Sequence, residues 1–76
     1  MKILKKVGQP QPTKIQKRVS GISTPDLIMW AENALYVIGK EITHHQRDKS
    51  LDALLEARMG AEALLAITDE LIKRVD

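Results

Sequence analysis

The chain of 76 residues contains no cysteine and no phenylalanine, and its only aromatic residues are Trp30 and Tyr36. Without cysteine it can form no disulfide framework, no thiolate zinc site and no thiol nucleophile. A core made almost without aromatic rings has to consist of Leu, Ile, Val, Ala and Met. With 43% hydrophobic and 29% charged residues, the composition is typical of one small soluble helical domain.

The sequence also lacks a long hydrophobic run. The longest stretch without polar side chains, residues 34–39, is far shorter than the ~20 residues that cross a bilayer. The segment 1–7 is basic but has no apolar stretch of the kind found in signal peptides. We therefore expect no membrane association and a cytoplasmic location, in a cell or an infected host, or association with a virion.

Acidic residues are absent from the first third of the chain. Residues 1–25 have a net charge of +6, whereas residues 26–76 contain ten acidic and six basic residues. The basic residues of the first segment are Lys2, Lys5, Lys6, Lys14, Lys17 and Arg18. Because proline and glycine are also concentrated there, we predict an extended basic N-terminal arm, residues 1–23, followed by a helical body, residues 24–76.

The arm contains the pattern Lys-Ile-x-Lys-(Lys/Arg)-Val twice, over residues 2–7 and 14–19. The prolines between the two copies, in Gln-Pro-Gln-Pro over residues 9–12, favour an extended conformation. Short basic segments with β-branched residues can add to a sheet edge or lie in a groove. Three interpretations stay open: chance similarity, a duplicated docking segment, or the two strands of a small hairpin.

Two helices are predicted for the body. The segment 24–26, Thr-Pro-Asp, supplies a hydroxyl N-cap, a proline in the first turn and an acid at the positive end of the helix dipole. We predict a first helix over about 25–46, a polar break with a second cap over 47–50, and a second helix over about 51–75. A short loop between helices of similar length predicts an all-α, antiparallel two-helix hairpin.

Both predicted helices have wide apolar faces. The first face consists of Leu27, Ile28, Ala31, Ala34, Leu35, Ile38 and Ile42. The second face consists of Leu54, Ala57, Ala61, Leu64, Leu65, Thr68, Leu71, Ile72 and Val75. Gly60 costs ~1 kcal/mol relative to Ala within a helix, and we attribute it to close packing of the two helices.

Further apolar residues extend beyond these faces. Trp30 and Val37 widen the face of the first helix, and Leu55 and Met59 lie on the otherwise charged side of the second. A hairpin of this size buries too little surface to be stable alone. We expect a second copy or a larger protein to complete a four-helix bundle, with these four residues facing the partner. For Trp30, packing beneath the returning arm is the alternative.

One motif has metal-binding spacing. Glu41 and His44 form a Glu-x-x-His motif, which in dimeric bundles can bind metal together with a glutamate such as Glu56. The alternative is a solvated helix end, with His44 paired to Asp48 and Glu41 to His45. We favour the second interpretation and expect no cofactor. The sequence contains no glycine-rich phosphate-binding loop and no set of residues arranged to activate a nucleophile. We therefore expect no enzymatic activity.

The function predicted from the sequence is that of a non-enzymatic interaction or assembly protein that docks on a larger complex or self-associates. The layout, a small aromatic-poor hairpin with a basic arm, resembles that of accessory proteins of virus and phage assemblies, which clamp larger shells with their arms. The main alternative is non-specific nucleic-acid binding by the arm. The arm has no aromatic residue to stack on bases, and the acidic body opposes approach to a polyanion. A dimeric metal-binding bundle is the third possibility.

Overall fold

The computed structural model describes residues 14–75. This part of the chain contains three helices and no strand: α1 (Lys14–Ser20), α2 (Thr24–Asp48) and α3 (Leu51–Arg74). The predicted all-α class is confirmed. Residues 1–13, which include the first copy of the repeat and the Gln-Pro-Gln-Pro segment, lie outside the described residues.

Helix α2 begins one residue earlier than predicted. Ser23, not Thr24, is the N-cap: its backbone is extended, and its hydroxyl oxygen accepts a hydrogen bond of 3.3 Å from the N–H of Asp26. Two consecutive hydroxyl residues make the choice of cap ambiguous in the sequence. In the structure Ser23 is the cap, and the Thr24 hydroxyl oxygen instead accepts a hydrogen bond from Arg74.

The connection between α2 and α3 consists of Lys49 and Ser50. Lys49 adopts the left-handed conformation (φ 57°), and its N–H donates to the carbonyl of His45 at 2.7 Å. Ser50 then caps α3, since its hydroxyl oxygen accepts from the N–H of Ala53 at 3.2 Å. The second cap lies within the predicted break, but α2 runs to Asp48, so the first two residues of that break are helical and the helix ends two residues later than predicted. The caps satisfy backbone groups that helix ends leave without partners.

Small residues lie at the contact between α2 and α3. Gly60 lies at a close approach of the two backbones: a Cβ atom there would come within 3.0 Å of Ile38 Cγ1 and 3.5 Å of the Ala34 carbonyl oxygen. The start of α2 lies beside the end of α3, where Arg74 contacts Thr24. The two long helices therefore run in opposite directions. The fully or nearly fully buried apolar residues are Val19, Leu27, Ala34, Ala53, Ala57, Ala63, Ala66 and Ile67.

The buried side of α3 differs from the apolar face read from the sequence. Ile67, which is fully buried, and Ala63 lie outside the predicted face. In contrast, Leu65 and Ile72 are 64% and 69% exposed. The predicted face contains most of the large side chains of α3, whereas close packing of the two helices buries mainly its alanines. As a result, several large apolar side chains remain on the surface.

Residues 14–20 correct the prediction of an extended arm. They form α1, and Val19, which is 1% exposed, joins a core cluster with Leu27, Ala66 and Ile67. Ile15, one turn earlier, packs against the same cluster. The prolines and glycines that suggested an extended arm flank this segment but do not enter it. The second copy of the repeat is therefore helical, and the interpretation of this copy as a β-strand is wrong.

Candidate protein-interaction surfaces

A single arginine joins the ends of the three helices. The Arg74 side chain donates to Glu70 Oε2 at 3.0 Å and to Thr24 Oγ1 at 3.0 Å. It also donates to the carbonyl oxygens of Val19 (3.2 Å) and Ser20 (3.4 Å) at the end of α1. The Glu70 carboxylate is only 11% exposed, so its charge is screened weakly by solvent. Arg74 thereby fixes the end of α1 against α2 and α3.

Trp30 is half-buried beneath α1. The Arg18 guanidinium lies over its ring, 5.6 Å from the centroid, and the ring packs against the core cluster that contains Val19. This distance suits a cation–π interaction. The structure thus gives Trp30 an intramolecular contact with the returning N-terminal segment, one of the two roles considered for it.

Three of the four predicted partner residues line one groove. The Trp30 groove, as we call it, lies between α2 and α3. Its lining consists of Trp30, Asn33, Ala34, Val37, Glu56, Met59, Gly60 and Ala63. Met59 is 62% exposed at the rim, while Leu55, one turn earlier and 45% exposed, lies outside the lining. Most of the lining is apolar, and Asn33 and Glu56 are its two polar side chains.

A second apolar surface lies on the other side of the helix pair. The Ile face, as we call it, consists of Ile28, Leu35 and Ile42 on α2 together with Leu54, Ala61, Thr68 and Ile72 on α3. Its large side chains are between 38% and 69% exposed. With a turn of about 100° per residue, these positions lie on the opposite side of the helix contact from Trp30 and Met59.

The Ile face contains no charged residue, and its one polar group is satisfied within its own helix. The Thr68 hydroxyl bonds to the carbonyl oxygens of Leu64 and Leu65, each at 3.0 Å. Such bonding back to the preceding turn leaves the methyl group of threonine available for packing. All seven residues belong to the apolar faces predicted from the sequence, where nothing distinguishes them from the residues buried between the helices.

The histidines near the α2–α3 connection take part in local pairs. His44 bonds through Nδ1 to Glu41 Oε1 at 3.4 Å and through Nε2 to Asp48 Oδ2 at 3.1 Å. His45 Nδ1 lies 2.9 Å from the Ser50 carbonyl oxygen, so it pairs with the connection and not with Glu41 as expected. Among residues 14–75, no group of three or more His, Asp or Glu side chains could hold a metal ion.

Three of the six basic residues of the predicted N-terminal arm fall within the described residues. Lys14, Lys17 and Arg18 are exposed on α1, whereas Lys2, Lys5 and Lys6 lie outside the described part of the chain. Lys17 lines a cleft together with acidic residues of α3, including Asp69 and Glu70. In this part of the arm, basic and acidic side chains of the same molecule therefore lie near each other.

Comparisons with known proteins give no relative. No family model, no curated protein and no solved structure matches the chain. Within residues 14–75, none of the helices combines the length and the apolar character that crossing a membrane requires.

Proposed function

We propose that this chain is a non-enzymatic protein–protein interaction module whose two long helices form an antiparallel hairpin that another protein surface completes as a four-helix bundle. The observation that carries the proposal is the balance of burial. Five of the eight buried apolar residues of the described chain are alanines, whereas twelve large hydrophobic side chains are at least 38% exposed.

The apolar area buried in this way is too small to stabilise an isolated hairpin. Alanine contributes little apolar area when buried, and most of the larger side chains keep their contact with water. Small domains need most of their apolar side chains in the core to offset the loss of chain entropy. Contiguous exposed apolar surfaces of this kind mark interaction sites. The Trp30 groove and the Ile face are two such surfaces, on opposite sides of the hairpin.

The charged residues support binding more than catalysis. No polar or charged residue of the described chain is buried, and several carboxylates pair with bases one turn away, as Glu62 does with Arg58 at 3.4 Å. Enzyme sites hold titratable groups in partly enclosed pockets. Pairs of this spacing are typical of a helix surface.

The proposal is tested with Met59→Glu, which places a charge at the rim of the Trp30 groove. Cells of the source organism would express tagged wild-type protein, Met59→Glu or the control Arg58→Ala, and the complexes would be sized and their components quantified. We expect wild type and Arg58→Ala to form the same stoichiometric complex and Met59→Glu to lose a component. A cooperatively folded monomer that forms no complex would contradict the proposal.

Nucleic-acid binding by the arm is the second candidate, favoured by the exposed Lys14 and Lys17 on one short helix. It predicts a mobility shift with any duplex or single strand that weakens steeply as salt is raised. The nearby acids of α3 count against it. Retention of the shift after both lysines are replaced by glutamine would exclude α1 as the nucleic-acid contact.

A further inference from the structure

The Ile face has a regular arrangement in layers. Because Gly60 contacts Ala34 and Ile38, the neighbouring Leu35 and Ala61 lie at one level of the antiparallel pair. Steps of seven residues then place Ile28 level with Thr68 and Ile42 level with Leu54. Successive layers are about 10 Å apart, since each residue adds about 1.5 Å. Every layer pairs one residue of α2 with one of α3.

Two of the three layers pair a larger residue with a smaller one, and the third pairs Ile42 with Leu54. In the central layer the leucine of α2 stands beside the alanine of α3, and in an outer layer Ile28 stands beside the smaller Thr68. A two-fold axis parallel to the helices brings α2 of one copy over α3 of the other. Leu35 of each copy then fills the space above Ala61 of the second copy, as close-packed interfaces require. The surface is therefore complementary to itself.

The size of the face also fits a second copy. From Ile72 to Ile42 it extends about 27 Å along the helices, and two adjacent helices are about 20 Å wide. One copy thus offers about 500 Å², and two copies together bury about 1,000 Å², which is the size at which specific interfaces begin. The fold must always cover this surface, and a second copy of the chain is the one partner that is present whenever the chain is made.

We infer that the Ile face is the contact between two copies of this chain, with α2 of each packed against α3 of the other. The inference rests on the proposed function and names the partner of one of its two surfaces. A dimer formed through the Ile face leaves the Trp30 groove exposed on its outer side. Residues 1–13 are the competing occupant, but their few apolar side chains lie among three lysines, and the uncharged Ile face offers those lysines no acidic partner.

The test compares matched substitutions on the two surfaces by analytical ultracentrifugation. Wild type is expected at about twice the mass of the 8.5 kDa chain, with the mass unchanged by high salt. Ala61→Glu buries an unpaired carboxylate without removing an apolar side chain, so it should raise the dissociation constant at least ~100-fold. Met59→Glu, at a residue about as exposed as Leu35, should leave the dimer unchanged.

Mixing two defective variants keeps the test decisive when either one fails to fold. A heterodimer of Ala61→Glu with Leu35→Lys has one wild-type contact and one contact that joins the new glutamate to the new lysine. Mixing these two chains should restore helicity and dimer mass, whereas mixing Ala61→Glu with Leu35→Glu, which brings two carboxylates together, should not. Absence of this rescue, or a monomeric wild type, overturns the inference. A wild type that is monomeric and poorly folded would leave the broader proposed function intact, because another protein would then cover the face.

Discussion

The two glycines in the long helices provide a direct test of how closely α2 and α3 pack. A Cβ atom added at Gly39 on α2 would have no other atom within 4 Å, whereas a Cβ at Gly60 on α3 would come within 3.0 Å of Ile38 Cγ1. Neither glycine has a positive φ. Both can therefore be replaced by alanine without backbone strain, and only the surroundings of the new methyl group differ.

The expected effects on the free energy of unfolding have opposite signs. Replacing glycine by alanine inside a helix gains about 0.8–1 kcal/mol, and Gly39→Ala should show this gain in full. At Gly60 the methyl group displaces a β-branched side chain whose χ1 is stiff, and overpacking costs about 1–3 kcal/mol. We expect Gly60→Ala to be destabilising by up to about 2 kcal/mol, because the cost outweighs the gain.

Thermal unfolding at one fixed protein concentration measures the difference. A change of 1 kcal/mol shifts Tm by about 4–8 °C in a domain of this size, so Gly39→Ala should unfold several degrees above wild type and Gly60→Ala below it. Equal stabilisation by both substitutions would refute the close packing, because it would mean that the methyl group at position 60 meets open space.

Three further substitutions test the contacts that hold the helices together. Arg74→Met removes charged hydrogen bonds to α1 and α2 and should cost about 2 kcal/mol, with faster trypsin cleavage after Arg18; unchanged cleavage would show that Arg74 does not hold α1. Trp30→Ala should speed the same cleavage. It should also weaken association with the protein that binds the Trp30 groove far more than replacing any single lysine of the arm, and equal losses in a binding titration would exclude Trp30 as the dominant contact. Ser50→Ala should lower the free energy of unfolding by about 1 kcal/mol through loss of the α3 cap, measured by urea unfolding; no change would mean that the cap is not formed.

Local sequence signals predicted the helices of the body well. The polar segment around Ser50 ends one helix and caps the next, since hydroxyl caps and polar breaks act over a few residues. The i,i+4 spacing of Glu70 and Arg74 predicts an ion pair, which is present at 3.0 Å. The same spacing predicts that Lys73 pairs with Asp69, but the Lys73 ammonium lies 3.8 Å from Glu70 instead.

Long-range packing was not predictable from the same signals. Helix α1 is too short to be stable by itself, and it is held by the burial of Val19 against α3 and by Arg74. No local pattern indicates such contacts. Similarly, the sequence could not show that Ile67 is buried while Ile72 is exposed, because the orientation of a helix with several apolar rows depends on its neighbour. The Ile face therefore became recognisable only with the structure.

The central claim, that a second copy covers the Ile face, is tested most directly by the dependence of Tm on protein concentration. Folding coupled to dimer formation predicts that Tm rises steadily as wild-type protein is concentrated ~100-fold, by mass action. Ala61→Glu should abolish this rise and Met59→Glu should not. A cooperative transition with the same Tm at every concentration, from a particle of 8.5 kDa, would contradict the claim.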